Sequence, residues 1–216
     1  MSKVVLIGAS GFVGTAILNE ALNRGIKVTA VVRNPDSIKI SNPDLTVVKA
    51  DVSDTAKVAE ITKGADAVIS AYNPGWSNPD IYEETLKIYP RILEGVKKAG
   101  VKRLLIVGGA GTLFVAPGVR VVDSGAIPAE IIDGVKSLGE FYLNTLVNEK
   151  DIDWIFFSPA GSLESGERTG NYRLGKDDLI VNDRGESKIS VQDYAKAMVD
   201  ELETPTHHQE RFTIGY

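Results

Sequence analysis

Three glycines at a spacing of three, Gly8, Gly11 and Gly14, follow the apolar run Val4-Val5-Leu6-Ile7. An amphipathic stretch comes next, with Val13, Ile17, Leu18, Ala21 and Leu22 recurring at helical intervals. An apolar run without alternation predicts a strand buried on both faces. The chemistry open to such a turn is phosphate binding. A glycine at 8 lets the chain leave the strand sharply, and one at 11 puts no Cβ between backbone and a pyrophosphate. One at 14 lets helix and strand pack closely. The helix start then offers free N–H groups and the positive end of its dipole. With 21 glycines in the chain, the three alone say little; strand, turn and helix in that order form the context of a dinucleotide fingerprint. The turn from Gly8 through Ala9, Ser10, Gly11, Phe12 and Val13 is the expected phosphate cradle.

Further candidates stand where later strands should end. The strand Lys27–Val32 runs into Arg33-Asn34-Pro35, 19 residues past Gly14. An acidic residue there bonds a ribose 2′-OH, whereas an arginine accommodates a 2′-phosphate. Arg33 therefore favours NADP over NAD, although Asp36, turned inward, would serve the NAD form. A strand at Ala67–Ser70 leads into Ala71-Tyr72-Asn73. Ligands sit outside the C-terminal ends of parallel strands, so these three residues are expected beside ribose and diphosphate. Tyr72 and Trp76 either wall a substrate pocket or cover the sheet edge.

The spacing G-x-x-G-x-x-G in Gly8-Ala9-Ser10-Gly11-Phe12-Val13-Gly14 resembles the turn of the extended and atypical short-chain dehydrogenase/reductases. The likeness is closest to the atypical NAD(P)H-binding branch, which includes NADH-flavin reductases, biliverdin/flavin reductases and NmrA-like regulators. The resemblance implies a doubly wound parallel α/β sheet, the Rossmann fold, with a small C-terminal substrate-side lobe. It implies that Asp51 and Val52, after the strand Leu45–Lys49, contact adenine; the alternative is a helix N-cap by Asp51 or Ser53 before Thr55–Ile61.

The family carries a serine after its fifth strand, here Arg103–Val107, but Gly108 and Gly109 stand at those positions. It also carries a tyrosine four residues before a lysine. Lys136, followed by Glu140, looks like that lysine, and Ile132 occupies the tyrosine position. Tyr142 lies six residues on, about 600° around a helix, and is no replacement. The resemblance thus implies cofactor contacts from Gly108, Gly109, Lys136 and Pro159, with Lys136 the one catalytic candidate. Tyrosine-based proton transfer is absent. The long stretch from Gly108 to Ala129 is expected as a lid, with Phe114 and Arg120, beside Trp76, as substrate contacts.

A helix is predicted from Asn78-Pro79-Asp80 to Ala99-Gly100, with no chemistry of its own; in relatives it pairs across a dimer, so monomer and homodimer both stay open. Brief strands are predicted at 170–173 and 179–181. Ser190 is expected to cap a helix with Asp193 in its first turn, and Glu210–Ile214 to be the last strand. His207 and His208 are read as exposed loop residues, with no metal site.

The totals narrow the classes. At 216 residues one domain is expected, with a cofactor core at 1–159 and a small substrate-side region at 160–216. A net charge of −5 argues against a nucleic-acid partner, and no apolar run approaches a membrane span. The start of the chain shows no signal-peptide pattern, and zero cysteines removes disulfides, thiolate metal sites and thiol nucleophiles. A cytoplasmic protein with a small-molecule substrate is the default. The expected activity is hydride transfer from NADPH or NADH to a small flavin-like, quinone or conjugated carbonyl acceptor. A non-catalytic NAD(P)-sensing protein, then a sugar-nucleotide epimerase or dehydratase, are the alternatives.

Overall fold

The computed structural model describes residues 3–216. β1 (Lys3–Ile7), α1 (Phe12–Asn23), β2 (Lys27–Val32) and β3 (Leu45–Lys49) build outward from the sheet centre. After α2 (Thr55–Thr62), β4 (Ala67–Ser70) returns to the other side of β1. Then follow α3 (Ile81–Lys98), β5 (Arg103–Val107), the short strands β6 (Phe114–Ala116) and β7 (Val119–Arg120), and α4 (Ile132–Asn144). The chain closes with β8 (Asp153–Ser158), β9 (Ser162–Glu164), β10 (Arg173–Gly175), β11 (Lys188–Ser190), α5 (Val191–Glu203) and β12 (Glu210–Gly215). The main sheet has the order β10-β12-β8-β5-β4-β1-β2-β3, parallel throughout except for the β10 edge. The order reverses between β1 and β4, the switch point at which such sheets bind ligands.

The burial of both faces explains the apolar run at the start. Val4 and Leu6 join the core under α1 and α5, while Val5 and Ile7 join the core under α2, α3 and α4. Residues 160–216 are built into this body: α5 packs on α1, β12 pairs with β8, and only β9 and β11 form a separate two-stranded sheet. Ser190 caps α5 by accepting from the Asp193 amide at 3.0 Å. The buried Asp193 carboxylate does more than face a helix start. It accepts from the Thr169 hydroxyl at 2.6 Å, the Gly170 amide at 2.8 Å and the Tyr216 hydroxyl at 2.8 Å.

Several local expectations are corrected. Asp54, not Asp51 or Ser53, caps α2, accepting from the amides of Ala56 and Lys57 at 2.9 and 3.1 Å. Residues 179–181 are no strand; Leu179 instead donates its amide to the Phe114 carbonyl at 2.8 Å. That bond, with Phe114 N–H to Asp177 O at 2.8 Å, ties the β6–β7 hairpin to the 177–179 segment. The stretch after β5 is therefore partly ordered by backbone pairing. His207 is half-buried, its ring stacked on Phe212 at 3.9 Å and its Nδ1 2.9 Å from the buried Glu201 carboxylate. Glu201, taken out of water beside Arg103, needs such partners.

Candidate functional site

A cleft of about 370 Å³ opens at the switch point, above the ends of β1, β2, β3 and β4. Gly8 forms its base with φ +78°, a conformation that L side chains resist; a Cβ there would lie 2.5 Å from the Ala71 carbonyl oxygen. The ends of β1 and β4 thus touch through this glycine, and Ala71 donates its amide to Ile7 at 2.9 Å. A Cβ on Gly14 would collide with the Gly8 carbonyl itself. Gly11 is different: its Cβ would meet only the Gly8 carbonyl, at 3.4 Å, and its outer side is open. Gly11 is the N-cap of α1 and provides no side-chain cap, unlike Asp54 at α2 and Ser190 at α5. The first amides of α1 are left for an anion.

Of the residues expected at the cofactor, Gly8, Ser10, Gly11, Arg33, Asp51, Val52, Ala71, Tyr72 and Asn73 line this one cleft. Hydrogen bonds from Ser53, and then the nearby Arg33 and Arg91, hold the Asp51 carboxyl below the usual range. It is an ionised acceptor at neutral pH. Burial first, and then the negative Glu84, push the Tyr72 hydroxyl up to about 12. Tyr72 is thus a neutral wall, braced edge-on by Tyr89 at 5.7 Å, whose hydroxyl donates to the Tyr72 carbonyl at 2.8 Å. Asn73 turns its side-chain oxygen to the Gly75 amide at 2.7 Å, shaping the loop.

The remaining candidates lie outside the cleft lining. Ala9 is fully buried, Val13 packs on the core, and Phe12 is 53% exposed at the start of α1. Gly108 follows β5, and a Cβ there would lie 2.6 Å from the Phe156 ring. Phe156 on β8 fills the space a serine side chain would need. Pro159 is buried just past β8. Lys136 is exposed on α4, whereas Val135 meets Gly111 and Leu138 approaches Gly109 at 3.6 Å. Val135 and Leu138 thus face the loop after β5, and Lys136, some 100–200° from them around the helix, is exposed.

Tyr142 is buried and stacked on Phe156 at 4.6 Å, with the Arg211 guanidinium 5.2 Å over its ring. Trp76 is 53% exposed and rests on Gly134 of α4. Phe114 and Arg120 meet each other on the hairpin, guanidinium over ring at 5.5 Å, and are not part of the cleft. Among the described residues no cluster of metal-ligating side chains is present, and no helix is long and apolar enough to cross a membrane.

One wall of the cleft was not anticipated. Glu84, Lys87 and Ile88 of α3 line it together with the ends of β2 and β3. Arg91, one turn further, donates to the Ser53 carbonyl at 2.9 Å and fastens this wall to the 51–53 loop. The only sequence signal was an i, i+3, i+4, i+7 stripe beside the apolar face of the helix, which reads equally well as a solvated face.

A glycine cradle at an uncapped helix start, at the switch point of a doubly wound parallel sheet, defines a Rossmann-type nucleotide-binding protein. The chain belongs to the NAD(P)H-binding family, whose model matches residues 8–205. It is similar to the Bacillus subtilis protein YwnB, itself uncharacterised, with 41% identity over 98% of this chain and 97% of that one. A crystal structure from Bacteroides thetaiotaomicron, named a "putative epimerase", shares 66% identity with a TM-score of 0.95, covering 100% of this chain and 97% of that one. One from Streptococcus pneumoniae, named a "putative NADH-flavin reductase", shares 33% with a TM-score of 0.82, covering 100% and 99%.

Proposed function

We propose that this protein is an NAD(P)H-dependent oxidoreductase acting on a small flavin-like, quinone or conjugated carbonyl acceptor, with NADPH preferred. The carrying observation is the open cradle made by Gly8, Gly11 and the uncapped start of α1. The similarity to the protein named as an NADH-flavin reductase supports the choice of acceptor. The turn amides would hold the diphosphate, Asp51 and Val52 the adenine, and Arg33 the 2′-phosphate. When bound, a reduced nicotinamide supplies the hydride. The chain supplies orientation and exclusion of water. No general acid stands at the end of β5, where Gly108 is closed over by Phe156, and Tyr142 is buried away from the cleft. A proton would therefore come from solvent.

The same lack of an acid favours a second reading, a protein that senses NAD(P) without turnover. The third, a sugar-nucleotide epimerase, rests on the name of the 66%-identical structure and meets the same missing tyrosine at Ile132. The partner is a small molecule, in a monomer or homodimer, in the cytoplasm. One experiment separates the readings: titrate NADPH and NADH, then add FMN, riboflavin and simple quinones while following absorbance at 340 nm. Oxidation of NADPH establishes the reductase. Binding without oxidation of any acceptor favours the sensor. UDP-sugar binding by the NADP⁺-loaded protein favours the epimerase. Loss of the NADPH preference in Arg33→Ala identifies the selector.

A further inference from the structure

The cleft has two long walls, one from the ends of β2 and β3 and one from α3, and four charged side chains line it. The two carboxylates are engaged. Glu84 accepts from the Asn78 amide group at 3.0 Å, and Asp51 accepts from the Ser53 amide at 2.9 Å. The two cations make no such bond, although Arg33 lies near enough to Asp51 to lower its carboxyl. Among the described residues, neither Arg33 nor Lys87 has a side-chain hydrogen bond or an ion-pair partner. Other lysines of α3 behave differently: Lys97 holds Glu149 and Asp151 at 2.8 and 2.9 Å, and Lys98 reaches Glu94 at 3.4 Å. Lys87 has Glu83 and Glu84 a turn away and pairs with neither. Arg33 and Lys87 thus line one cavity without a hydrogen-bonded or ion-paired partner, and both are left to meet an anion bound there.

We propose that Lys87 is a second determinant, with Arg33, of selectivity for a nucleotide that carries a phosphate on its 2′-oxygen. The proposal rests on the nucleotide-binding reading of the cleft and not on hydride transfer. A phosphate monoester carries a charge of about −1.5 to −2 at neutral pH, more than one guanidinium neutralises. Arg33 offers a planar fork that can bind two oxygens, and Lys87, lining the same cleft, adds a mobile point charge. Val52 and Ile88, both buried at 8% exposure, give apolar surface for a base between these walls. The Arg91 bond to Ser53 ties α3 to the 51–53 loop. Lys87 thus adds α3 to the selection made at the end of β2.

The test compares 2′,5′-ADP with 5′-AMP, which differ only in the 2′-phosphate, by calorimetric titration of wild type, Lys87→Gln, Lys87→Arg and Arg33→Gln. Lys87 is an exposed helix residue, and unchanged melting temperatures would show that the variants fold. The expected result is that Lys87→Gln weakens 2′,5′-ADP by about fivefold and 5′-AMP by less than twofold, as for one charge-assisted contact. Lys87→Arg should restore most of the loss. The salt dependence of 2′,5′-ADP binding should be shallower in Lys87→Gln than in wild type. Unchanged 2′,5′-ADP affinity in Lys87→Gln, or equal weakening of both nucleotides, would overturn the proposal. If Arg33→Gln still loses 2′,5′-ADP in that case, the reading of the cleft stands without Lys87. If neither nucleotide binds the wild type, both fall.

Discussion

Gly108 after β5 and Phe156 on β8 occupy one space: a Cβ on the glycine would lie 2.6 Å from the phenylalanine ring. Phe156 pairs in register with Ile106, two residues before Gly108, and Tyr142 stacks on the same ring. The missing hydroxyl at this strand end is thus a packing arrangement, not an isolated exchange. Gly108→Ser should lower stability by about 1–3 kcal/mol, the usual effect of overpacking a core. It should not raise turnover of any acceptor. Urea denaturation and a 340 nm assay check both; a stable, more active variant would contradict the arrangement.

Gly11 and Gly14 should separate binding from folding. A methyl on Gly11 meets only the Gly8 carbonyl, at 3.4 Å, and φ there is −74°. Gly11→Ala should therefore melt near wild type yet bind NADPH at least tenfold more weakly, because the methyl stands where the diphosphate approaches. Gly14→Ala drives its methyl into the Gly8 backbone and should melt markedly lower or fail to fold. Calorimetry with fluorescence titration would show the contrast. Equal melting temperatures for the two variants would refute it.

Asp193 predicts part of the acid limb of stability. Burial would raise its carboxyl, but bonds from Thr169, Gly170 and Tyr216 outweigh burial, and the group lies below the usual range. A depressed folded pKa adds stability above the unfolded value of about 3.9, and that stability is lost as pH falls below it. Asp193→Asn should lose about 2 kcal/mol at pH 7, the scale of buried hydrogen bonds to a charge. The difference from wild type should shrink as pH falls below 4. A constant difference from pH 7 to pH 2 would argue that the charge is not what matters.

Gly134 gives Trp76 its seat. A Cβ on Gly134 would lie 2.7 Å from both the Trp76 ring and the Ile81 side chain. Gly134→Ala should therefore lift Trp76 off α4, despite the better helix propensity of alanine. The other tryptophan, Trp154, is buried at 2% exposure, so a red shift on mutation reports Trp76. Emission identical to wild type would count against this packing.

Much of the cleft was legible because its causes are local. The positive φ at Gly8, the cradle at Gly11 and the close approach at Gly14 follow from a strand, a turn and a helix in one short segment. Arg33, Asp51 and Tyr72 were found because each follows a parallel strand, and the ends of neighbouring strands share an edge. Asp54 was missed as the cap of α2 because three candidate side chains lie within four residues, and only backbone direction chooses among them. The half-burial of His207 is not legible in the sequence, because its partners Glu201 and Phe212 are brought to it by the return of β12.

By itself the sequence determined the glycine turn with its flanking strand and helix, and the strands whose ends carry the cleft, since hydrophobic periodicity and backbone sterics act over a few residues; the family followed from the resemblance of that turn. Only the tertiary structure decided which way each helix is rotated. That rotation turns Lys136 of α4 to solvent, sets Leu138 over Gly109, and brings Lys87 of α3 into the cleft. A helix carries residues on every side, and which side meets the site depends on packing against strands far away in the chain.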